Sequence, residues 1–445
     1  MKAFAAWSLC WAAAILFSIT ASPDWFWTLL RHPATASPIH VALAAVAFVV
    51  VLRPLSPWVV VLLAAVQVAD VAAALPEVPN HRLILTFVDL ALIATLIRGR
   101  RGDQWFDAFV PAARMILVSL YAFAFFAKLN ADFLDPSSSC AAQFFGNVTR
   151  WWPVIPDAAL LRGGAVWAAL VAEGLLAVTL CVPRLRVAAV IGGLMFHFML
   201  ALDATKVFLN FSSVMFALLI SFLPRAFLDS LGADLERRPG LRTGLGAGLL
   251  AIVGSGLYAV TDWSTRANLH VWVRQIVWSV YALGVMGYTI RWCAREYRPE
   301  APLPLPGAAA IAVIALVWLD GLSPYLGLKT RTTLDMYSNL RLEADRSNHF
   351  LVPRSLDVFG FLRDRVAILE TDDPDLRRAY VETGEEMPYV QLRDYLTRHP
   401  RVRVRYLRGG AQASSVGTRE PLPYALQKLL VFRPLGERSR RECVW

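Results

Sequence analysis

The sequence predicts an all-α polytopic membrane protein that carries a small C-terminal α+β domain. Of its 445 residues, 57% are hydrophobic and only 18% are charged, a balance too apolar for an ordinary soluble domain. Apolar runs of roughly 17–25 residues, the length at which a helix crosses a bilayer, recur along the first three quarters of the chain. The runs do not alternate with polar residues, which argues against a membrane β-barrel.

The apolar runs predict about eleven transmembrane helices, within a range of roughly nine to eleven. Their approximate bounds are 3–20, 39–53, 57–75, 82–98, 108–128, 159–182, 186–203, 207–224, 243–261, 271–290 and 305–323. The first run also has the length of a signal peptide. Because so many spans follow it, we expect it to be retained as the first helix.

The distribution of positive charge predicts the orientation of these spans. Arginine clusters in the loops after the fourth, sixth, eighth and tenth spans, which all fall on one side of the bilayer and therefore mark the cytoplasm. The opposite loops are rich in tryptophan, as at 24–27 and at Trp151-Trp152. The N-terminus is then cytoplasmic and the chain after about Ser323 extracytoplasmic. The Ala- and Arg-rich composition favours a bacterial inner (plasma) membrane.

The composition becomes more charged after about Pro324. Strand-like and helical patterns alternate there, which predicts a small α+β domain. The strand-like stretches are 365–369, 402–406 and 429–432, and the helical ones lie near 375–381 and 389–398. We therefore divide the chain into a transmembrane domain at 1–325 and an extracytoplasmic domain at 326–445.

The five cysteines show neither metal-ligand nor CxxC spacing, and no metal site is predicted. Cys140 and Cys443 are the one pair that this topology places outside the cytoplasm, where disulfides persist. A disulfide and two free thiols both stay open, because the sequence does not fix the distance between the two residues.

Lys128, at the outward end of the fifth span, is the leading candidate for a functional residue. A charged group is costly at membrane depth, so an ionisable residue there often marks a functional site. Lysine also loses its proton readily when water is removed, and can then act as a base. The alternative is an ordinary helix-end lysine whose ammonium reaches the interface.

Asn80 and His81 precede the fourth span. That span runs inward and the fifth returns outward, so His81 and Lys128 lie at the same face of the membrane. Because the ends of neighbouring antiparallel helices pack together, His81 is a candidate proton partner of Lys128. Polar residues at helix starts are also commonly structural.

Besides Asn80, four further polar side chains are candidates for substrate contacts: Asn130, Asp132, Glu173 and His197. The first two follow Lys128 closely. Glu173 lies in the middle of the sixth span, where a carboxyl group is either protonated or paired. His197 lies in the seventh span. For each of them, hydrogen bonding between helices is the structural alternative.

Several other classes of protein are disfavoured. The net charge of +10 is explained by loop arginines that set topology, so nucleic acid is not an expected partner. The chain has no P-loop, no Gly-rich dinucleotide-binding turn, no HExxH and no GxSxG. Its spans are not interrupted in matched pairs, as those of many transporters are.

Three segments together resemble a known family. The stretch at 126–133 is similar to the segment that bears the catalytic lysine of vitamin K-dependent gamma-glutamyl carboxylase. Asn80-His81 resembles the Asn-His pair of that family, and the run from 196–199 to 222–224 resembles its following helical pair. These segments are typical of the bacterial HTTM (horizontally transferred transmembrane) family, to which the carboxylase belongs. The resemblance covers roughly 1–325.

The resemblance implies a lysine-dependent oxidation of a membrane quinone. Lys128 would be the base that deprotonates reduced vitamin K, or another quinol, and His81 would contact the quinone oxygen or orient the base. Oxygen and carbon dioxide would be the other reactants, the quinone would leave as its epoxide, and no metal would take part. The carbon acid would be a glutamate side chain of a peptide or protein.

The chain also departs from the carboxylase pattern. Ala127 stands where the carboxylase has a second lysine, and only about 120 residues follow the last span, far fewer than in the carboxylase. The alternative function is therefore a non-catalytic HTTM protein that acts in peptide or toxin maturation, in immunity or in partner binding. A lipid or small-molecule transporter is a third hypothesis.

Overall fold

The computed structural model describes residues 2–21, 26, 38–53, 57–96, 103–298, 302–417, 420–436 and 443. Most of the tryptophan-rich loop at 24–27 lies outside the described residues, as do Arg98, Arg100 and Arg101, the arginines that follow the fourth predicted span.

The described chain is mostly helical and ends in a small sheet, so the coarse prediction of an α-rich protein with a C-terminal α+β region is confirmed. The helices before the sheet are α1 (Lys2–Thr20), α2 (Pro38–Leu52), α3 (Pro57–Ala74), α4 (Asn80–Leu96), α5 (Asp103–Ala127), α6 (Ala131–Leu134), α7 (Cys140–Trp151), α8 (Ala159–Thr179), α9 (Arg186–Leu200), α10 (Leu209–Leu219), α11 (Arg225–Arg237), α12 (Pro239–Thr261), α13 (Trp263–Glu296) and α14 (Ala308–Leu326).

Every predicted span overlaps one of these helices, because long apolar runs of this length favour helix. By length and composition alone, six of the described helices could cross a membrane. A bent pair, 209–222 followed by 225–237, would make a seventh. The number of spans, about eleven, stays a prediction.

Helix α1 lies at the centre of the helical core. It is buried on every side, and its tryptophans Trp7 and Trp11 stack with ring centroids 5.2 Å apart. The Trp11 indole donates a hydrogen bond of 2.8 Å to Asp89 of α4. A helix that is apolar all round is stable only when other helices surround it, and here α2, α10, α11 and α12 do so.

The helical pair α10 and α11 bends by 119° at Leu223-Pro224. Proline removes a backbone donor and interrupts the helix, which leaves carbonyl groups without helical partners. The buried guanidinium of Arg114 from α5 donates to two of them, Ser221 O at 2.7 Å and Leu223 O at 3.2 Å. The bend lies at 222–224, and a charged side chain from another helix stabilises it.

The tail begins where α14 ends. Gly327 adopts a left-handed conformation (φ 70°), which favours glycine at a helix C-terminus, and a Cβ there would lie 2.7 Å from Cα of Asp357. The chain then returns across the ends of α5 and α14 before it enters the sheet. Tail residues Leu340 and Leu342 pack with Ala127 and Tyr325 in one apolar cluster.

A four-stranded antiparallel sheet forms the rest of the tail, in the order β2-β1-β3-β4. Its elements are β1 (Arg365–Thr371), a short helix α15 (Pro374–Leu376), β2 (Glu386–Pro388), α16 (Tyr389–Arg398), β3 (Arg403–Arg408) and β4 (Ala411–Val416), followed by α17 (Tyr424–Leu429). Leu435 pairs with Glu386 and covers the β2 edge.

The sheet corrects the tail prediction at one point. The stretch 429–432 was predicted as a strand, but α17 ends at Leu429 and Val431 and Phe432 are not in a strand. Both side chains are buried, and Val431 O accepts a hydrogen bond of 3.1 Å from Thr330 N. The apolar run therefore indicated burial against the tail, not pairing in a sheet. The predicted strands at 365–369 and 402–406 correspond to β1 and β3.

Candidate functional site

Lys128 lies directly after the last residue of α5 and is only 5% exposed. Its Nζ is 2.8 Å from Oε2 of Glu173 and 3.1 Å from Oε1. The same Nζ lies 3.5 Å from Ala124 O and 5.6 Å from the centre of the Phe133 ring. The amine therefore folds back into the helical interior and does not extend outward, as an interfacial lysine would.

Glu173 comes from α8, which packs along α5. Its neighbour Gly174 makes the close approach possible, because a Cβ there would lie 2.8 Å from the Phe125 ring. The Glu173 side chain is mostly buried, so both partners of the ion pair have left water. Such a pair is stable only when each charge has a close partner.

A second polar pair lies on the same face of α5. Tyr121 precedes Lys128 by two helical turns, and its hydroxyl is 2.7 Å from Nε2 of His197 on α9. We call the two buried pairs, Lys128–Glu173 and Tyr121–His197, together the lysine cluster.

The lysine cluster contains unused hydrogen-bonding capacity. Nδ1 of His197 has no partner within the described chain, although the His197 carbonyl accepts a bond of 2.8 Å from Ser212 Oγ. This nitrogen can therefore bond a ligand or a water molecule.

Chemically, the Lys128–Glu173 pair can hold its shared proton on either partner. When Glu173 carries the proton, the Lys128 amine is free to accept another from an acidic hydroxyl group nearby. The geometry therefore suits proton transfer.

Asn130 and Asp132 are engaged by the tail. Asn130 is fully buried and its Nδ2 donates to Ala127 O at 2.8 Å and to Ser338 O at 2.7 Å. Asn348 donates from Nδ2 to Asp132 Oδ2 at 2.8 Å and lies 3.2 Å from Asn130 Oδ1. Their predicted contact with substrate stays a prediction. In the structure, both side chains hold the tail against the segment at 126–133, which carries Lys128.

His349 completes this attachment. It pairs with Asn130 in an antiparallel bridge, and its Nε2 donates to Phe126 O at 2.9 Å while Nδ1 accepts from the Leu351 and Val352 amides. Burial lowers the pKa of His349, so the imidazole is neutral, as this pattern of one donor and one acceptor requires. The tail therefore fixes the backbone on both sides of Lys128.

Asn80 and His81 are the first two residues of α4, which packs against α5. Within the described residues, no hydrogen bond or ion pair joins His81 to Lys128, so its predicted role as proton partner stays a prediction. Asn80 is buried, and neither atom of its side-chain amide has a partner in the described part of the chain. The adjacent Arg82 pairs with Asp70, which also lies 3.1 Å from Nδ1 of His40.

Cys140 and Cys443 form a disulfide, with their Cα atoms 5.3 Å apart. Cys140 begins α7 and is fully buried, and its amide donates to Oδ1 of Asn339 at 2.9 Å. The bond attaches Cys443 to the start of α7, a few residues after the segment that carries Lys128.

Two other observations bear on the site. No group of three or more His, Cys, Asp or Glu side chains suited to a metal ion occurs among the described residues. An open groove of about 1260 Å³ lies on the tail and not at Lys128. Charged and aromatic side chains from β3, α16 and their neighbours line it, including Arg403, Arg405, Tyr389, Tyr406 and Glu420.

The sequence predicted Lys128, Glu173 and His197 as separate candidates but missed Tyr121, Asn348 and the pairing itself. Tyr121 carries a usable signal, since it lies seven positions before Lys128 on one helical face. Asn348 carries none, because it is 218 residues from Asn130. Comparisons of the chain with protein-family models, curated proteins and solved structures found no match.

Proposed function

We propose that this chain is an integral membrane enzyme of the HTTM type that oxidises a reduced vitamin K-type quinone to its epoxide. The membrane is the bacterial inner membrane, with the N-terminus cytoplasmic and the tail extracytoplasmic. Membrane insertion is supported by the six long apolar helices and by the large apolar side chains that helices such as α8 expose, which a soluble surface of this size would rarely carry.

The buried Lys128–Glu173 pair is the observation that carries the proposal. A membrane-soluble quinol needs a base that is shielded from water, and Lys128 is a buried amine with one carboxyl partner. Lys128 accepts the hydroxyl proton of the quinol, and Glu173 holds the proton that the amine releases beforehand. Arginine would not replace Lys128, because a guanidinium does not deprotonate in proteins.

The unpartnered polar atoms suit a quinol. The substrate offers two oxygen atoms on an apolar ring. Among the described residues, the side-chain amide of Asn80 and one imidazole nitrogen of His197 are buried without a partner. These groups, with His81, would orient the quinol oxygens. Oxygen supplies the oxidant, and carbon dioxide would enter in the carboxylation of a glutamate that the resemblance implies.

The experiment is epoxide formation by membranes that contain the protein, supplied with reduced vitamin K and oxygen. Wild-type protein should form epoxide, whereas Lys128→Ala and Lys128→Arg should not, while both variants remain folded. Lys329→Ala is a matched control, because Lys329 also forms a buried ion pair, at 2.5 Å from Asp320, but outside the lysine cluster. Lysine-independent epoxide, or none from folded wild-type protein, would contradict the proposal.

The second candidate is a non-catalytic HTTM protein whose tail binds a peptide or protein in maturation or immunity. The tail groove favours it, as does the outer edge of β4, which has no partner strand in the described sheet, because an extended peptide can pair with such an edge. This function predicts that Lys128 substitutions are tolerated, whereas substitutions at Arg403 or Arg405 are not.

A further inference from the structure

The segment at 350–359 exposes an unusual amount of apolar surface. Phe350, Leu351, Leu356, Val358 and Phe359 are each more than half exposed, although the segment is part of the charged tail. Single exposed apolar residues are normal, but a cluster of this kind marks a surface that another apolar phase covers. We call it the apolar loop.

The apolar loop buries polar side chains and exposes apolar ones, which is the reverse of a loop that faces water. Ser355 and Asp357 are 3% and 1% exposed, whereas Leu356 and Val358, which alternate with them, are 71% and 59% exposed. The polar side chains point inward because they are fully bonded: Ser355 Oγ donates to the end of α14, and Asp357 accepts from the Leu362 and Arg363 amides. The apolar side chains are therefore held outward by the fold.

The apolar loop is attached to the ends of two helices. Leu356 N donates to Tyr325 O at 2.8 Å, and Val358 N to Leu326 O at 3.0 Å, both in the last turn of α14. Phe350 N donates to Leu129 O at 3.0 Å, next to Lys128. The loop is thus fixed at the level where α5 and α14 end.

Its apolar surface continues that of a helix. The outer side of α14 exposes Leu316, Trp318, Leu319 and Leu322 toward this end. Arg354, within the loop, and Arg363, just after it and ion-paired with Asp357, are themselves exposed. Basic side chains beside an apolar surface are typical of segments that lie at a lipid headgroup boundary.

We propose that the apolar loop enters the outer lipid leaflet beside α14, so that part of the tail is embedded in the membrane next to the backbone that carries Lys128. The occupant is lipid and not a second protein, because the loop extends the surface that α14 presents to the bilayer. This inference rests on the membrane insertion in the proposed function, but not on any activity of Lys128.

The test measures the depth of fluorescent labels on full-length protein in lipid nanodiscs. Single cysteines replace Leu356 in the apolar loop, Gln412 on the exposed strand β4, and Leu175 on the exposed side of α8. Cys181 and Cys293 are replaced by serine, and the remaining free cysteine, Cys10, is buried, so the label attaches to the new thiol. Quenching by bromine on the lipid acyl chains is compared with quenching by iodide in water.

We expect the label at Leu356→Cys to be quenched by brominated lipid, as at Leu175→Cys, and to show at least about threefold less iodide quenching than the label at Gln412→Cys. A lipid-quenched Leu175→Cys with a water-exposed Leu356→Cys would overturn the inference but leave membrane insertion intact. Loss of lipid quenching at Leu175→Cys would instead contradict membrane insertion itself. Protection at Leu356→Cys that disappears on dilution of the protein would indicate a second copy and also overturn the inference.

Discussion

Nζ of Lys128 lies 2.8 Å from Oε2 of Glu173, although the two residues are 45 positions apart in the chain. Both side chains are largely buried, so water cannot readily replace either partner of the ion pair. This relationship is the basis of the proposed chemistry, and it also makes the pair sensitive to the loss of either member.

Glu173→Gln and Lys128→Met should each destabilise the fold by about 3–5 kcal/mol, because each leaves one buried charge uncompensated. The double variant Lys128→Met/Glu173→Gln should lose clearly less than the sum of the two, since no charge remains. The measurement is the free energy of unfolding of detergent-solubilised protein, arranged as a double-mutant cycle. Additive losses would mean that the two side chains do not interact.

Tyr121→Phe should destabilise the protein by about 1–3 kcal/mol, because buried Nε2 of His197 loses its partner. Tyr325→Phe is the matched control: its hydroxyl is buried without a partner in the described chain, so its removal should be neutral or stabilising. Thermal unfolding of the two variants beside wild type separates the two effects. Equal losses would show that the Tyr121–His197 bond contributes nothing.

Much of the helical region was predictable from the sequence, whereas the lysine cluster was not. Long apolar runs such as 159–182 carry their own signal, and each corresponds to a helix. The pairing of Lys128 with Glu173 depends on how α5 and α8 pack, and no local pattern encodes that. The stretch 429–432 was misassigned because an apolar run indicates burial equally well in a strand and in an irregular segment.

The attachment of the tail should weaken in acid. Burial lowers the pKa of His349, so the unfolded chain binds a proton at about pH 6.5 where the folded chain does not. This contribution to stability is therefore present above about pH 6.5 and is lost as the pH falls below it. Between about pH 7.5 and 5.5, the melting temperature of His349→Gln should fall less than that of wild type. The control His399→Gln, at an exposed histidine, should show the same fall as wild type. An unchanged fall in His349→Gln would contradict this.

The disulfide between Cys140 and Cys443 should be present in protein purified without reductant. Peptide mapping should find the two residues linked, while exposed Cys181 reacts with maleimide. Because the bond closes a loop with a sequence separation of 303 residues, Cys140→Ser/Cys443→Ser should lower stability by about 2–5 kcal/mol. Free thiols at both positions, in protein whose tail lies on the extracytoplasmic side, would show that the bond does not form.

The most direct test of Lys128 as the base is chemical rescue of the Lys128→Ala variant. Membranes with this variant are supplied with reduced vitamin K, oxygen and a series of small primary amines, and epoxide is measured over time. The account predicts no epoxide without amine, and a rate that rises with the concentration of unprotonated amine. Epoxide formation by Lys128→Ala at the wild-type rate without any amine would contradict it.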